Sequence, residues 1–363
     1  MGVKKCDWRW LRFALAICAL SAALVACAAN DTTGNSSSGG SAHTGDCSGA
    51  GCGTVPPGSG ASGNLSVFVE PNAGETPILH EIEGAQTSVW LEVYLLTDSN
   101  VIHALEDAAN RGVDVRVLLE LNPYGSGSTS PQETLQELQA AGVKAEGADT
   151  AYQYTHEKAL IVDGATLMVM TANLTKSALG GSSAATNREY GVIDTNAADV
   201  KDAANVFVAD WQRTTPTLTD PNLVVSPINA RARLAAFIDA AHSSLLVEDE
   251  EMYDTGSEDA LIAAAKRGVN VEVVLPAPSG SSSSDADVTR LLNGDVHVRY
   301  ITVLYMHAKI MLADGAQAFV GSENFSATSL DKNRELGLLI TDKSAISLLN
   351  QTFQQDWRDS QAA

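Results

Sequence analysis

The sequence predicts an α/β fold made of two similar halves, each a sheet covered by helices. Three repeated segments support this prediction. The first is a helix that ends in Arg-Gly and leads directly into an apolar strand, at 104–118 and 260–275. The second and third are the patterns H-x-K-x-x-x-x-D-G, at 156–164 and 307–315, and Asn-Arg-Glu-x-Gly, at 187–191 and 333–337. The repeats indicate two copies of one unit, at about 64–215 and 216–363, with a shared site at their junction.

Residues 1–26 have the pattern of a secretory signal peptide. Four basic side chains precede a short apolar run at 13–25, and the segment ends in Leu24-Val25-Ala26-Cys27. The apolar run is too short for a comfortable membrane span. The ending resembles a bacterial lipobox, in which Cys27 would carry the lipid; an ordinary signal cleaved nearby is the alternative. We therefore expect an exported lipoprotein of the cell envelope, held at a membrane through Cys27.

Residues 27–63 are predicted to form a flexible tether. After Cys27 this segment contains no Lys or Arg and consists mainly of Gly, Ser, Ala, Asn and Thr, a composition typical of flexible linkers. Cys47 and Cys52 bracket a Gly-rich stretch and could close a small disulfide outside the cytoplasm. All five cysteines precede residue 64, so a thiolate metal cluster is not expected at the shared site.

The composition indicates an acidic globular protein. The 363 residues are 45% hydrophobic, and the formal net charge is −21. Removing residues 1–26 would take away four basic residues and one acid, leaving 23 − 4 = 19 basic against 44 − 1 = 43 acidic residues, or −24. Affinity for nucleic acid comes mainly from basic groups that neutralise phosphates. The charge therefore argues against nucleic acid as a partner.

Both halves are predicted to share one order of elements. Each runs helix, strand, helix, strand, helix, strand, then the strand of the H-x-K motif, two more strands and a closing helix. Gly112 and Gly268 stand in the usual position for ending a helix. The spacing between equivalent residues falls from 156 before the motif to 151 at the motif and 146 after it. One loop on each side of the motif strand is therefore predicted to be shorter in the second half.

The H-x-K motifs indicate chemistry on a phosphodiester. The residues between Lys and Asp are apolar in both copies, as in a buried strand. Side chains two apart on a strand point to the same side, so each copy presents an imidazole beside an ammonium group. Two imidazoles and two cations in one concavity suit attack on phosphorus, protonation of the leaving oxygen and neutralisation of phosphate charge. This set is complete without a metal or another cofactor, and none is predicted.

These motifs resemble the signature of the phospholipase D superfamily, H-x-K-x4-D-x6-G-S-x-N. The second copy matches in full, with Gly321-Ser322-Glu323-Asn324 six residues after Asp314. The first copy has Met170-Thr171-Ala172-Asn173 at the same spacing, so Thr171 keeps a hydroxyl and Asn173 keeps the amide. The resemblance covers nearly all of 64–363 and implies two pseudo-symmetric α-β-α sandwich halves with the active site at their junction.

The resemblance also implies a role for each residue of the site. The residues expected to act in catalysis are His156, Lys158, His307, Lys309, Asn173, Asn324, Glu189 and Glu335. The histidine of the first motif would attack phosphorus to form a phosphohistidine, and the second would protonate the departing alcohol and then deprotonate water. The lysines and asparagines would hold the phosphate oxygens, and each glutamate would accept a proton from the far nitrogen of an imidazole. Asp163 and Asp314 are expected to face elsewhere and to stabilise a turn with the following glycine.

We therefore expect a phospholipase D that hydrolyses a phospholipid to phosphatidic acid and an alcohol, or transfers the phosphatidyl group, acting as a monomer. Three alternatives remain: a cardiolipin-synthase-like transferase, a secreted nuclease or other phosphodiesterase, and a binding protein on an inactive scaffold. The acidic run 248–251 lacks the spacing of a calcium loop. It is predicted to be a strand end near the rim of the active site.

Overall fold

The computed structural model of the chain describes residues 65–124, 130–180, 186–278 and 284–363. The predictions of a signal peptide, of lipidation at Cys27, of the tether and of the pair Cys47 and Cys52 concern residues outside these ranges.

In the first half, strands and helices alternate up to the motif strand, after which strands follow one another. The elements are β1 (Leu65–Glu70), α1 (Thr76–Gly84), β2 (Ser88–Val93), α2 (Ser99–Asn110), β3 (Asp114–Leu119), α3 (Pro131–Ala140), β4 (Lys144–Gly147), β5 (Lys158–Val162), β6 (Thr166–Met170), β7 (Asn187–Asp194) and α4 (Ala197–Trp211). The helix starts follow the sequence chemistry. For example, the Asp98 side chain accepts the N–H groups of Asn100 and Val101 at the start of α2, as an N-cap does.

The second half repeats this order with three additions. The elements are β8 (Leu223–Ser226), α5 (Ala230–Asp239), β9 (Ser244–Asp249), α6 (Thr255–Lys266), β10 (Asn270–Pro276), α7 (Ser284–Asn293), β11 (His297–Ile301), β12 (Tyr305–Met306), β13 (Lys309–Ala313), β14 (Gln317–Gly321), α8 (Ala327–Asp331), β15 (Glu335–Ile340), α9 (Lys343–Asp359) and β16 (Gln361–Ala362). The additions are β12, α8 and β16.

The two sheets have the same strand order. The first runs β1-β7-β6-β5-β2-β3-β4, and the second runs β8-β15-β14-β13-β9-β10-β11, with β16 beyond β11. In the first sheet, β2, β3 and β4 pair in parallel, and the motif strand β5 pairs antiparallel with β2. In the second sheet, β9, β10 and β11 pair in parallel, and the motif strand β13 pairs antiparallel with β9. The predicted α/β fold of two related halves is therefore confirmed.

The predicted order was wrong in one respect, because each half opens on a strand rather than a helix. β1 pairs antiparallel with β7 over Leu65–Glu70, and β8 pairs antiparallel with β15 over four residues. Both strands lie at an edge of their sheet, beside the strand that begins in the Asn-Arg-Glu repeat. Both segments are rich in residues that favour strands, but the partner of each strand lies far away in the sequence, so its place in the sheet depends on the tertiary structure.

The halves meet through a shared apolar core. Trp90, Val169 and Tyr190 of the first sheet join Ile310 and Leu336 of the second in one buried cluster, together with residues of α4 and α9. The opposite face of each sheet packs on its own helices in a separate cluster. Because the central core joins one face of each sheet, the ends of the two motif strands come together.

Within the described residues, no helix is long and apolar enough to cross a bilayer.

Candidate active site

The two motif histidines lie just before β5 and β13, and each is held by the backbone of the opposite half. The His156 N–H donates to the Arg334 carbonyl at 2.8 Å, and the His307 N–H donates to the Arg188 carbonyl at 3.3 Å. β12, which consists of the two residues directly before His307, pairs in parallel with the start of β7. The Asn-Arg-Glu repeats therefore form the junction between the halves.

One cleft of about 620 Å³ contains both motif histidines. His156 and Asn173 line it from the first half, and His307 and Asn324 line it from the second. Both asparagine side-chain oxygens are buried without a hydrogen-bond partner among the described residues. The structure thus brings the two motifs to one concavity, as the sequence predicts.

Each imidazole is paired with the glutamate of the other half. The Nδ1–H of His156 donates to Glu335, whose carboxylate oxygens lie at 2.9 and 3.1 Å. The Nδ1 of His307 lies 2.7 Å from Oε1 of Glu189. Both glutamate side chains are fully buried. Burial alone would raise the pKa of Glu335, but the adjacent His156 holds it below its ordinary value.

Neighbouring polar side chains orient these carboxylates. The Thr171 hydroxyl donates to Glu189 at 2.6 Å, and Ser329 donates to Glu335 at 2.8 Å. Asn187 and Asn333, the first residues of the two repeats, each donate to the glutamate two positions later. Ser322 accepts the backbone N–H of Leu336 at 3.1 Å, as Thr171 accepts that of Tyr190 at 2.9 Å. The hydroxyl residues of the two motifs, Thr171 and Ser322, therefore hold side-chain and backbone groups of the site in position.

Both lysines lie beneath the cleft with fully buried side chains. Lys158 donates to the backbone carbonyl of His156, and Lys309 donates to that of His307 at 2.7 Å and to Glu250 at 2.9 Å. Burial lowers the pKa of Lys158 to about 7. Burial also acts against the charged form of Lys309, but the charge of Glu250 raises its pKa above the ordinary value. The pKa values of the two lysines are therefore shifted in opposite directions, although the two residues occupy equivalent positions.

The environments of the two imidazoles also differ. Tyr94 packs edge-on against His156, with ring centroids 4.7 Å apart. The register of β2 and β9 against the motif strands places Glu250 at the equivalent position of the second half, where it lies 3.3 Å from Nε2 of His307. Burial lowers the pKa of His156. His156 is therefore favoured as a neutral imidazole, while His307 lies between two carboxylates.

Asp163 and Asp314 lie at the far ends of the motif strands. Asp163 accepts the backbone N–H groups of three consecutive residues, 86–88, and Asp314 accepts those of 242–244. Each has a positive φ, 53° and 56° respectively, and is followed by a glycine of positive φ. These contacts tie the end of each motif strand to the start of the neighbouring strand.

The sequence reasoning missed two further features of the site. Glu250 was assigned only to the rim, although it contacts both Lys309 and His307. The repeat arginines anchor the junction: Arg334 pairs with Asp210 at 2.8 Å, and Arg188 pairs with Asp356 at 2.6 Å. The recurrence of arginine in both Asn-Arg-Glu repeats is the signal that could have indicated this role.

Three buried carboxylates form a group near Arg334. One oxygen each of Glu92, Glu157 and Asp210 lies within 4.8 Å of the others. Burial raises the pKa of all three carboxyls above its ordinary value, and the charge of Arg334 offsets only part of this effect. The guanidinium already supplies positive charge to this group, so we assign no metal to it.

Comparisons with known proteins agree with the fold and the motifs. The family model described as "Cardiolipin synthase, PLD-like domain" matches residues 78–211 and 234–357. Cardiolipin synthase 2 of Staphylococcus epidermidis is 22% identical over 340 residues, which is 81% of this chain and 68% of that protein. Phospholipase D of Rickettsia prowazekii is 35% identical over 116 residues, covering 32% of this chain and 54% of that protein.

Among solved structures, phosphatidylserine synthase of Haemophilus influenzae superposes with a TM-score of 0.62 at 13% identity, over 82% of this chain and 87% of that one. Polyphosphate kinase of Porphyromonas gingivalis gives 0.64 at 14% identity, over 82% of this chain and 51% of that one. At these identities the likeness concerns the fold alone.

Proposed function

The chain belongs to the family of phospholipase D-like domains described as "Cardiolipin synthase, PLD-like domain", and from this premise we propose that it transfers the phosphatidyl group of a phospholipid to an acceptor alcohol. The observation that carries the proposal is the cleft in which two imidazoles, each bonded to a buried glutamate of the other half, face a common space. Two relatives named cardiolipin synthase match 81% and 78% of the chain, which favours an alcohol over water as acceptor.

In the first step, Nε2 of His156 attacks phosphorus. The bond from phosphorus to the head-group oxygen breaks, and His307 gives its Nε2 proton to that oxygen. The low pKa of His156 keeps this ring neutral and nucleophilic. The buried carboxylate of Glu335 stabilises the positive charge that the ring acquires as the nitrogen–phosphorus bond forms.

In the second step, Nε2 of His307 takes the proton of the acceptor alcohol. The alcohol oxygen attacks phosphorus, and the bond to His156 breaks. Asn173 and Asn324, which line the cleft, would donate amide N–H groups to the phosphate oxygens. Lys309, and Lys158 in its protonated form, add positive charge beneath these oxygens, where the surrounding protein screens it less than water would.

Hydrolysis is the second candidate, with water replacing the alcohol. It is favoured by the relative named phospholipase D, which has the higher identity over a shorter stretch. The same residues serve both reactions, because only the nucleophile of the second step changes.

The test uses purified protein and vesicles of mixed bacterial phospholipids, with a chelator present and glycerol added as acceptor. Mass analysis of the lipids should show a phosphatidyl-glycerol product in excess of phosphatidic acid, and His156→Asn or His307→Asn should abolish both. Phosphatidic acid as the main product would select hydrolysis. Cleavage of DNA without any change in the lipids would refute both candidates.

We also propose that the enzyme works at the cell envelope, on the strength of the N-terminal pattern that ends in Cys27. Mass spectrometry of the N-terminal peptide should show a lipid-modified Cys27, and Cys27→Ala should release the protein from membranes. An unmodified mature N-terminus would support the simple secretory signal instead.

A further inference from the structure

A second cavity, of about 190 Å³, adjoins the catalytic cleft. The two spaces share Glu250, Glu251 and Tyr253 in their walls. Beyond this boundary the second cavity is lined by the end of β10, the segment 277–278 that follows it, and side chains of α7, β11 and β12. Nothing in the mechanism described above uses it.

The lining of this cavity combines tyrosine rings with carboxylates. The tyrosines are Tyr253, Tyr300 and Tyr305, and the carboxylates are Glu250 and Glu251; none of the described residues that line it is Lys or Arg. Aromatic faces attract cations, most strongly quaternary ammonium groups enclosed by several rings. Tyr253 and Tyr305 are 46% and 47% exposed, so their rings remain available to a ligand.

The charges around the cavity favour a cation further. Glu250 forms an ion pair with Lys309 at 2.9 Å. The carboxyl of Glu251 has a raised pKa, because it is buried and lies near the charge of Glu250. A bound cation would relieve the repulsion between these two carboxylates. The first half lacks this arrangement, because Tyr94 occupies the position equivalent to Glu250.

The size of the cavity selects a small group. A protein cavity of about 150 Å³ can hold benzene, and pockets for drug-sized ligands measure about 300–1,000 Å³. A space of about 190 Å³ therefore suits a trimethylammonium or ethylammonium group better than an acyl chain.

The cavity also lies on the side of the leaving group. Glu250 contacts Nε2 of His307 at 3.3 Å, and the Tyr305 ring centroid lies 6.3 Å from that of His307. His307 gives its proton to the leaving oxygen, so the head group attached to that oxygen extends toward this cavity.

We propose that this cavity binds the cationic head group of the donor phospholipid, a quaternary or primary ammonium alcohol. The inference rests on the proposed function for the identity of the donor, but binding of the cation itself can be measured without turnover. It assigns phosphatidylcholine or phosphatidylethanolamine as donor in preference to phosphatidylglycerol, whose head group is neutral.

The first experiment measures binding by saturation-transfer NMR on the whole protein. The probes are tetramethylammonium and tert-butanol, which differ in charge but are similar in size. Tetramethylammonium should bind more tightly. Tyr253→Leu and Glu251→Gln should each weaken it by about threefold to tenfold, the range expected for one cation–π contact or one nearby charge. Tyr253→Phe, which keeps the aromatic face, should stay within about twofold of the wild type.

Glu137→Gln, at an exposed position of α3, is the matched control for the loss of one charge and should bind as the wild type does. Equal binding of the two probes would overturn the inference. So would unchanged binding of tetramethylammonium in Tyr253→Leu, provided that the variant melts at the wild-type temperature.

The second experiment compares kcat/KM for phosphatidylcholine and phosphatidylglycerol with identical acyl chains. The wild type should favour the cationic head group, and Tyr253→Leu should reduce that preference by about threefold to tenfold. A preference for phosphatidylglycerol that does not change in Tyr253→Leu would overturn the inference and leave the proposed function intact. Failure of the wild type to turn over any lipid would overturn the proposed function, and the NMR measurement would still decide whether the cavity binds cations.

Discussion

The contact between Glu335 and His156 allows the roles of the two imidazoles to be tested separately. Glu335→Gln keeps the shape of the side chain and removes its charge. The new amide can donate an N–H to Nδ1 of His156, which leaves the ring proton on Nε2, the atom that must attack phosphorus. Glu189→Gln makes the same change behind His307, the proton donor. The two variants are therefore matched, since both glutamates are fully buried and each bonds to an imidazole.

The size of the effect follows from the geometry. Both oxygens of Glu335 lie within 3.1 Å of Nδ1, so the variant loses a charge-assisted hydrogen bond worth about 1.5–3 kcal/mol. That energy alone corresponds to about tenfold to 150-fold in rate. The proton on Nε2 reduces the rate further, because it blocks the attacking nitrogen. The equivalent Asp→Asn change in a serine protease lowers kcat by about 10⁴. We expect kcat with natural phospholipids to fall by about 10³–10⁴ in Glu335→Gln.

The assay uses a donor whose leaving group is 4-nitrophenolate, which departs without a proton. With this donor, the first-turnover release of 4-nitrophenolate by Glu189→Gln should recover to within about tenfold of the wild-type rate, because proton donation no longer limits the first step. The second step, which needs His307 as a base, should remain slow in this variant. Glu335→Gln should not recover, since the attacking nitrogen remains blocked. In Glu189→Gln, alkaline quenching and peptide mass mapping should find the phosphatidyl adduct on His156. Recovery of Glu335→Gln with the same donor, or an adduct on His307, would refute this assignment of roles.

Three further predictions concern pH and stability. The acid limb of kcat/KM should lie below pH 6.5, because burial lowers the pKa of His156 and the neutral ring is the nucleophile; a pH–rate profile with its limb above 6.5 would contradict this. Burial raises the pKa of Glu157 from 4.5 to about 8, so the folded state holds an extra proton between these values and its stability falls as pH rises through this window. Glu157→Gln should therefore narrow the difference between the urea midpoints at pH 5 and pH 8, and an unchanged difference would argue against a protonated Glu157. Asp163→Ala and Asp314→Ala should each destabilise the fold by about 2–4 kcal/mol, since each removes a carboxylate that accepts several N–H groups. Activity per folded molecule should remain within about threefold by phospholipid turnover, because neither carboxylate lines the cleft, and a loss of activity at unchanged stability would show a catalytic role instead.

Much of the fold could be predicted because its signals are local. The His and Lys of each motif share a side of the chain through strand alternation, and the helix–strand repeats show through periodicity and through glycines that end helices. The strands β1 and β8 were missed because each is placed by pairing with a strand more than 100 residues later in the sequence, β7 and β15 respectively. The segments themselves, Leu-Ser-Val-Phe-Val-Glu and Leu-Val-Val-Ser, are rich in residues that favour strands, but their position beside a distant strand could not be predicted from them.

The sequence by itself determined eight side chains of the site, namely two imidazoles, two cations, two amides and two carboxylates, but not Glu250, which contacts His307 and Lys309. Only the tertiary structure decided how they are paired, because His156 and Glu335 are 179 residues apart and meet through the packing of one sheet against the other. The pairing of strands within each sheet made the halves unequal. It placed Glu250 beside His307, whereas Tyr94, at the equivalent position of the first half, packs on His156. The two imidazoles therefore differ in chemistry, because their neighbours differ.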